Sequence, residues 1–486
     1  MRVTALNPPF LPRFSRGQRS PAVTRSGTLY YPIWLSYCVA ALEQAGHEVD
    51  LVDAPAAGLS LGDVSDRIRR FSPGLVIVET STPSIESDVA VADSLSSDGR
   101  TVLLCGTHPS ALPAETVLSG RFFAGAIVGE YEIPSLAAAS ALEEGRALQG
   151  IPGLALRSGD SIEYAGPSPV VEDLDSLPFV SGVYARHLDP ADYDNPNALH
   201  PMVMVMGGRG CPNRCTFCVF PQTLTGRRAR LRSSESMAAE MEWVARNMPS
   251  VRSVFFEDDT ISADIPRLRA LAELLSLSSC RLSWSCNMRA DVDFETLALC
   301  RRAGLRTVCT GFESGDPEIL AGMRKGLDPD TMRRFMSDAR RAGIRVHGCF
   351  LFGSRGETRR TMEATLEFAL ELDPDTAQFY PLMVYPGTEA YDLAREEGLL
   401  CASSWRDWLT PEGLHNCVVR TREVTPEELV AFCDRARRRF YLRPSYLLRK
   451  GVQALLDPVE RRRTLKAFGT FRRYLFRGTR GARLGG

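Results

Sequence analysis

Short apolar runs alternate with longer stretches of helical periodicity along most of the chain, the rhythm of strands separated by helices. In the N-terminal third, residues 3–6, 48–52, 75–79, 101–105 and 126–128 predict strands, and 33–45, 61–71, 85–97 and 133–145 predict helices. Gly46 closes the first of these helices as a C′ glycine. Such alternation predicts a parallel, doubly wound sheet, whose ligands sit beyond the carboxyl ends of its strands. Three turns fall at those ends, at 80–84, 106–110 and 129–132. Residues 10–32 form a long polar segment of arginines and aromatics, either an arm that closes over a ligand or a flap without chemistry. Residues 151–200 show little periodicity beyond the apolar run 154–156 and read as a connector. From 201 the alternation resumes, with strands at 202–206, 253–257, 282–287, 307–311, 345–351 and 376–382. Helices follow near 235–247, 265–275, 294–303, 329–342 and 358–372. Six parallel strands with helices between them predict a partial (β/α)6 barrel, with its chemistry at the carboxyl ends of the strands. The fold class is thus α/β, with expected divisions at 1–150, 151–200, 201–400 and a mainly helical, basic region 401–486.

Composition narrows the class. A chain of 486 residues, 44% hydrophobic and 24% charged, is that of a globular protein with two or three domains. No run of about 18 apolar residues occurs and the N-terminus shows no signal-type apolar region, so a cytoplasmic protein is expected. Thirteen cysteines scattered through apolar segments do not read as a disulfide framework, and suit a reducing compartment. The net charge of −1 conceals an asymmetry. Residues 435–486 hold 16 of the 58 basic residues and only two of the 59 acidic ones, Asp457 and Glu460. Such a tail could bind nucleic acid, anionic lipid or an acidic partner. A helical extension folded back over the acidic body is the reading preferred here, and nucleic acid is not expected.

The chemistry concentrates in 207–218, where Cys211, Cys215 and Cys218 follow an apolar strand at C-x3-C-x2-C spacing. Soft thiolates select iron–sulfur clusters, and a cubane usually takes four of them, so three would leave one iron open. A structural zinc site usually brings two separated cysteine pairs, which this stretch lacks. The pattern resembles the radical S-adenosylmethionine (SAM) superfamily, in which the open iron chelates SAM. The N-terminal turns, among them the G-E-x-E element at 129–132, resemble the flavodoxin-like cobalamin-binding domain that precedes many such barrels. The D-x-H-x-x-G motif of another cobalamin family is absent.

That resemblance implies a [4Fe–4S] cluster on Cys211, Cys215 and Cys218, SAM, and cobalamin as a further candidate. Phe217 would shield the cluster, although it could equally be plain core. Phe256-Glu257-Asp258-Asp259 matches the element that meets the SAM amino group, with Glu257 the side chain nominated. Arg289 could pair with the SAM carboxylate or form a structural salt bridge. Gly311-Phe312-Glu313-Ser314-Gly315 matches a G-x-E-S-G signature, in which Glu313 would accept the ribose hydroxyls with Ser314 beside it. Gly353, in a G-x-x-G-E-T element, would line the adenine side. Thr82, Ser84, His108 and Glu130 are the candidate corrin contacts, although a lone loop histidine is commonly just solvated. Cys286, Cys309 and Cys349 read as small buried residues. The loop around 405–408 could cap the substrate.

Residues 203–233, with Pro221-Gln222-Thr223 and Arg232-Ser233, resemble the hopanoid-biosynthesis radical SAM proteins, and the apramycin-pathway radical SAM diol dehydratase is similar company. Val219-Phe220 departs from that pattern, which bears on the substrate. The implied mechanism is reductive cleavage of SAM to a 5′-deoxyadenosyl radical that takes hydrogen from an unactivated carbon. Glu257, Asp258, Tyr380 and Tyr385 are placed to hold the hydroxyls of a sugar-like substrate. Dehydration or rearrangement of a sugar or cyclitol portion of a natural product is the expected reaction. Cobalamin-dependent methyl transfer to carbon is the alternative within the enzyme class, and a scaffold or electron carrier the alternative outside it. A flavodoxin- or ferredoxin-type electron donor is the expected partner besides the small-molecule substrate.

Overall fold

The computed structural model describes residues 1–97, 99–456, 461 and 469. The preferred reading of the basic tail falls mostly on residues outside these.

The N-terminal sheet has seven strands: β1 Arg2–Asn7, β2 Glu48–Asp53, β3 Leu75–Thr80, β4 Thr101–Gly106, β5 Gly125–Ile127, β6 Leu154–Ser158 and β7 Ser161–Tyr164. Their order is β2-β1-β3-β4-β5-β6-β7, with the first five parallel and β6 and β7 antiparallel at the edge. The order reverses between β1 and β3, which makes the crevice beyond their carboxyl ends the natural ligand position. Alternation along β3 explains the two layers of core. Leu75 and Ile77 join a core continuous with the barrel, whereas Val76 and Val78 belong to a separate cluster on the opposite face. Strands β6 and β7 lie in the stretch read as connector, where a three-residue apolar run and an exposed β7 left little pattern to read.

The barrel consists of β8 Met202–Val205, β11 Ser253–Phe256, β12 Ser283–Asn287, β13 Leu305–Glu313, β14 Arg345–Phe352 and β15 Thr376–Pro381, all parallel, in the order β15-β14-β13-β12-β11-β8. A short hairpin, β9 Gly208–Arg209 with β10 Arg230–Leu231, brackets the cysteine stretch. The helices between strands begin where sequence chemistry dictates. Asp264, Asp293, Asp316 and Asp328 each cap a helix by accepting a backbone N–H, three of them followed by proline in the first turn. Outward residues Phe312, Phe350 and Phe379 stack at 5.6 and 5.3 Å and meet the helix Pro426–Tyr441 through Phe440, fixing which face of β13–β15 is the lumen.

A buried ion-pair cluster joins barrel and N-terminal sheet. Arg209 on β9 donates to Glu130 Oε2 at 2.9 Å and Glu132 Oε1 at 2.6 Å, and lies over Trp34 and Tyr37. Arg230 on β10 completes it by pairing with Glu130 and donating to the Val171 carbonyl. Arg209→Met leaves Glu132 without its cation in a buried interface, so chemical denaturation should show about 3–5 kcal/mol of lost stability. Among the described residues no helix is long and apolar enough to cross a membrane.

Candidate functional site

The cysteine stretch is pinned from several sides before any ligand is considered. Gly210 adopts φ +84°, where an added Cβ would strike the Arg228 carbonyl at 2.2 Å, so glycine is required there. Asp259 accepts the Gly210 N–H at 3.0 Å and the Thr225 hydroxyl at 3.1 Å. Gln222 donates to the Thr216 and Cys218 carbonyls at 3.1 and 2.8 Å and accepts from Glu389 N–H. Gln222, in the stretch that carries the resemblance to the hopanoid-biosynthesis proteins, thus braces the cysteine loop. Phe217 is half-buried against the main core.

The three thiols are half-buried and close enough to influence one another electrostatically. Burial, followed by Asp259, pushes the Cys218 thiol up to about 12, while Arg19 opposes that shift. Asn213 Nδ2 donates toward Cys211 Sγ at 3.3 Å. Among the described residues no three His, Cys, Asp or Glu side chains converge on a single metal ion. A cubane asks for something different, one thiolate per iron at separate corners. This donor set, three soft sulfurs with no histidine or carboxylate interposed, fits that demand.

The acids after β11 divide as strand geometry requires, since successive side chains point to opposite faces. Glu257 faces the lumen and meets Arg19 and Asn287 Nδ2, the latter at 3.2 Å. Asp258 points outward, accepting the Gly207 N–H at 2.7 Å beside Arg267, and burial pushes its carboxyl up to about 6. The expectation that Asp258 meets substrate is therefore corrected: it anchors the turn after β8.

Arg19 and Tyr30 were not nominated from sequence, yet both enter the barrel mouth from the segment 10–32. Arg19 also donates to the Asp258 carbonyl at 2.9 Å and to Asp259, and lies 5.0 Å over the Phe220 ring. Tyr30 sits within electrostatic reach of Glu257, Arg19, Cys309 and Cys349. Ser20 ties the same arm to the barrel rim, 3.0 Å from Tyr385 Oη and 2.8 Å from His415 Nε2. The segment is an arm closed over the barrel.

At the end of β13, Glu313 takes φ +65° where the register with β14 shifts, and it receives Lys325 Nζ at 2.9 Å. Both are almost fully buried, and Cys215 feels both charges. Lys325 escaped the sequence reading; its only signal was a lysine in the turn after a G-x-E-S-G strand. Arg289, by contrast, is engaged with Asp291 and with the Lys325 and Gly326 carbonyls, so the structural alternative for it holds. The Ser314 hydroxyl is buried against Thr365 and accepts from Asp316 N–H. Gly353 has φ +104° and gives its N–H to Glu357, closing the turn after β14.

Alternate residues of β13–β15 are accessible from the lumen: Cys309, His347, Cys349 and Tyr380 are half-buried and Gln378 is exposed. Cys309 and Cys349 thus face the lumen, contrary to their reading as packing residues. Only Cys286 matches it, with complete burial.

The four proposed corrin contacts do not form a ligand-facing surface. Ser84 donates to Asp88 at 2.5 Å within a buried network that includes Arg16. Glu130 is committed to Arg209 and Arg230. His108 bonds Thr82 at 3.2 Å, and Trp405 covers its ring at 4.9 Å. Burial lowers the His108 pKa to about 3, so it is a neutral, enclosed imidazole and not a solvated one. The 405–408 loop therefore caps the end of the N-terminal sheet. These side chains do not fit the corrin roles assigned to them.

Glu79, next to last in β3, is fully buried, which pushes its carboxyl up to about 8. The folded state prefers the protonated acid, so its contribution to stability is complete below the unfolded pKa and is lost as pH rises toward 8. Glu79→Gln should leave Tm unchanged near about pH 5 and raise stability by a few kcal/mol near about pH 9. Paired thermal melts would check both arms.

Comparison with known proteins agrees with this architecture. Residues 205–369 match the model of the radical SAM superfamily, and residues 19–139 that of the B12 binding domain. An uncharacterized methyltransferase of Pyrococcus horikoshii is 28% identical over 426 residues, covering 87% of this chain and 90% of the relative. Two solved structures share the fold. The radical SAM methyltransferase TsrM of Kitasatospora setae, with tryptophan and a SAM analog bound, superposes at a TM-score of 0.68 and 20% identity, covering 90% of this chain and 88% of that one. The cobalamin-dependent SAM radical enzyme OxsB, with aqua-cobalamin and SAM bound, gives 0.70 and 13%, covering 96% and 72%. The chain thus carries a radical SAM domain at 205–369 behind a B12-binding domain at 19–139. It is a radical SAM enzyme, with the [4Fe–4S] cluster and SAM as the cofactors of that class.

Proposed function

We propose that this enzyme abstracts hydrogen from a small, hydroxyl-bearing molecule held in the barrel lumen, leading to dehydration or rearrangement. The observation that carries the proposal is the lumen itself, a wall of half-buried neutral polar groups, Asn287, Cys309, Cys349 and Tyr380, beneath an arm that presents Tyr30. Such groups pair with hydroxyls and leave apolar substrates unrewarded. The sugar or cyclitol portion of a natural product fits that lining.

Bound to Cys211, Cys215 and Cys218, the cluster and SAM would supply an electron and a carbon-centred radical. The protein's own part is positional. Asp259 and Gln222 fix the cysteine loop. Glu313 and Lys325 offer a carboxylate and an ammonium for the polar ends of SAM. The arm excludes water, with Arg19 held on Glu257 and Ser20 on Tyr385. Tyr380, beside Cys349 and Tyr30, is the side chain best placed to orient a substrate hydroxyl.

Methyl transfer to carbon is the second reading, favoured by the methyltransferase relatives. Anaerobic turnover with methyl-deuterated SAM, against a small-molecule extract of the source cells, separates the two. 5′-Deoxyadenosine without deuterium in any product supports hydrogen abstraction leading to dehydration or rearrangement. Deuterium in a product overturns it in favour of methylation.

A further inference from the structure

The helix Pro444–Leu456 is turned outward. Its charged side chains face the protein: Arg449 pairs with Asp373, and Lys450 lies over the Tyr446 ring. Tyr446 is its buried residue, donating to the Asp375 carbonyl at 3.2 Å. Its leucines face solvent, Leu448 at 72%, Leu455 at 83% and Leu456 at 81% exposed, with Leu447 and Val452 beside them. At 100° per residue, Leu448, Val452 and Leu455 fall within about 60° of one another, roughly opposite Tyr446. A contiguous apolar stripe of this kind marks an interaction surface.

Charge says what covers it. Asp375, which receives Tyr446, also accepts the Val346 N–H at 3.1 Å, so the helix sits at the entry ends of the barrel strands. At that same end a cavity of about 470 Å3 is lined by Arg281, Arg301, Arg302, Arg306 and Arg345 and by no carboxylate. The sequence continues the theme, with 16 basic and two acidic residues in 435–486. Nucleic acid would answer the positive charge and leave the leucines wet. A second copy of this chain would bring the same positive charge against itself. An anionic bilayer offers hydrocarbon for the stripe and phosphates for the arginines together.

We propose that this end of the barrel docks on an anionic membrane surface, with the helix Pro444–Leu456 lying in the interface plane. Among the described residues no helix, this one included, is long and apolar enough to span a bilayer. The barrel mouth, at the opposite ends of the strands, would then face away from the lipid.

Co-sedimentation of the full-length, cluster-loaded enzyme with vesicles tests this. Partition onto phosphatidylglycerol-containing vesicles should exceed that onto pure phosphatidylcholine at least about ten-fold, and should weaken with salt. The variant Leu448→Ser/Leu455→Ser/Leu456→Ser should lose at least about ten-fold in binding, with SAM cleavage and circular dichroism unchanged. A tryptophan from Leu455→Trp should shift its emission to the blue and be quenched by brominated lipid. The proposal is overturned by equal partition onto neutral vesicles, by binding that survives the triple substitution, or by a dimer that the substitution dissociates.

Discussion

Replacing any one of Cys211, Cys215 and Cys218 with alanine should abolish the iron–sulfur absorbance and lower SAM cleavage by about 10^3-fold or more, equivalent to about 4 kcal/mol of barrier. If each thiolate holds a different iron corner, the three act as a unit and the triple variant should be scarcely worse than a single one. The fold should survive. The loop's shape is set by Asp259, Gln222, Thr216 and Gly210, none of which needs the thiols. Thermal melts of the cluster-free proteins should therefore coincide, while absorbance and 5′-deoxyadenosine production collapse. Intact SAM cleavage in the triple variant would exclude Cys211, Cys215 and Cys218 as the ligands of the cluster.

The barrel was legible in the sequence because its signals are local and redundant. Helices capped by Asp264, Asp293 and Asp328 precede three of its runs of apolar strand residues, and the bounds of those helices were placed within a few residues. The cysteine loop and Glu313 were legible for a similar reason, since short motifs fix them to strand ends. What escaped depends on direction and distance. Glu257 and Asp258 are neighbours in sequence yet face opposite sides of the strand, so a string of acids at a strand end cannot all meet one ligand. Arg19 and Lys325 reach the site from a long arm and from a turn without periodicity. Glu130 looked like a ligand contact because its turn is correctly placed. Its partners, Arg209 and Arg230, lie 79 and 100 residues away, where no local pattern announces them.

Lys325→Met should raise the KM for SAM by about 100-fold and also destabilise the enzyme, and the two effects can be separated. The ammonium lies 2.9 Å from Glu313 and is almost fully buried, so its removal leaves a carboxylate without compensation, at a cost of about 3–5 kcal/mol. The double variant Lys325→Met/Glu313→Gln removes both charges at similar volume and should recover most of that stability. It should recover none of the SAM affinity if the pair exists to hold the polar ends of SAM. Isothermal titration with SAM on the cluster-loaded single and double variants, beside their melts, supplies both readouts. A double variant that regains SAM binding together with stability would make Glu313–Lys325 a structural ion pair, and would move the search for SAM contacts to Glu257 and the Arg19 arm.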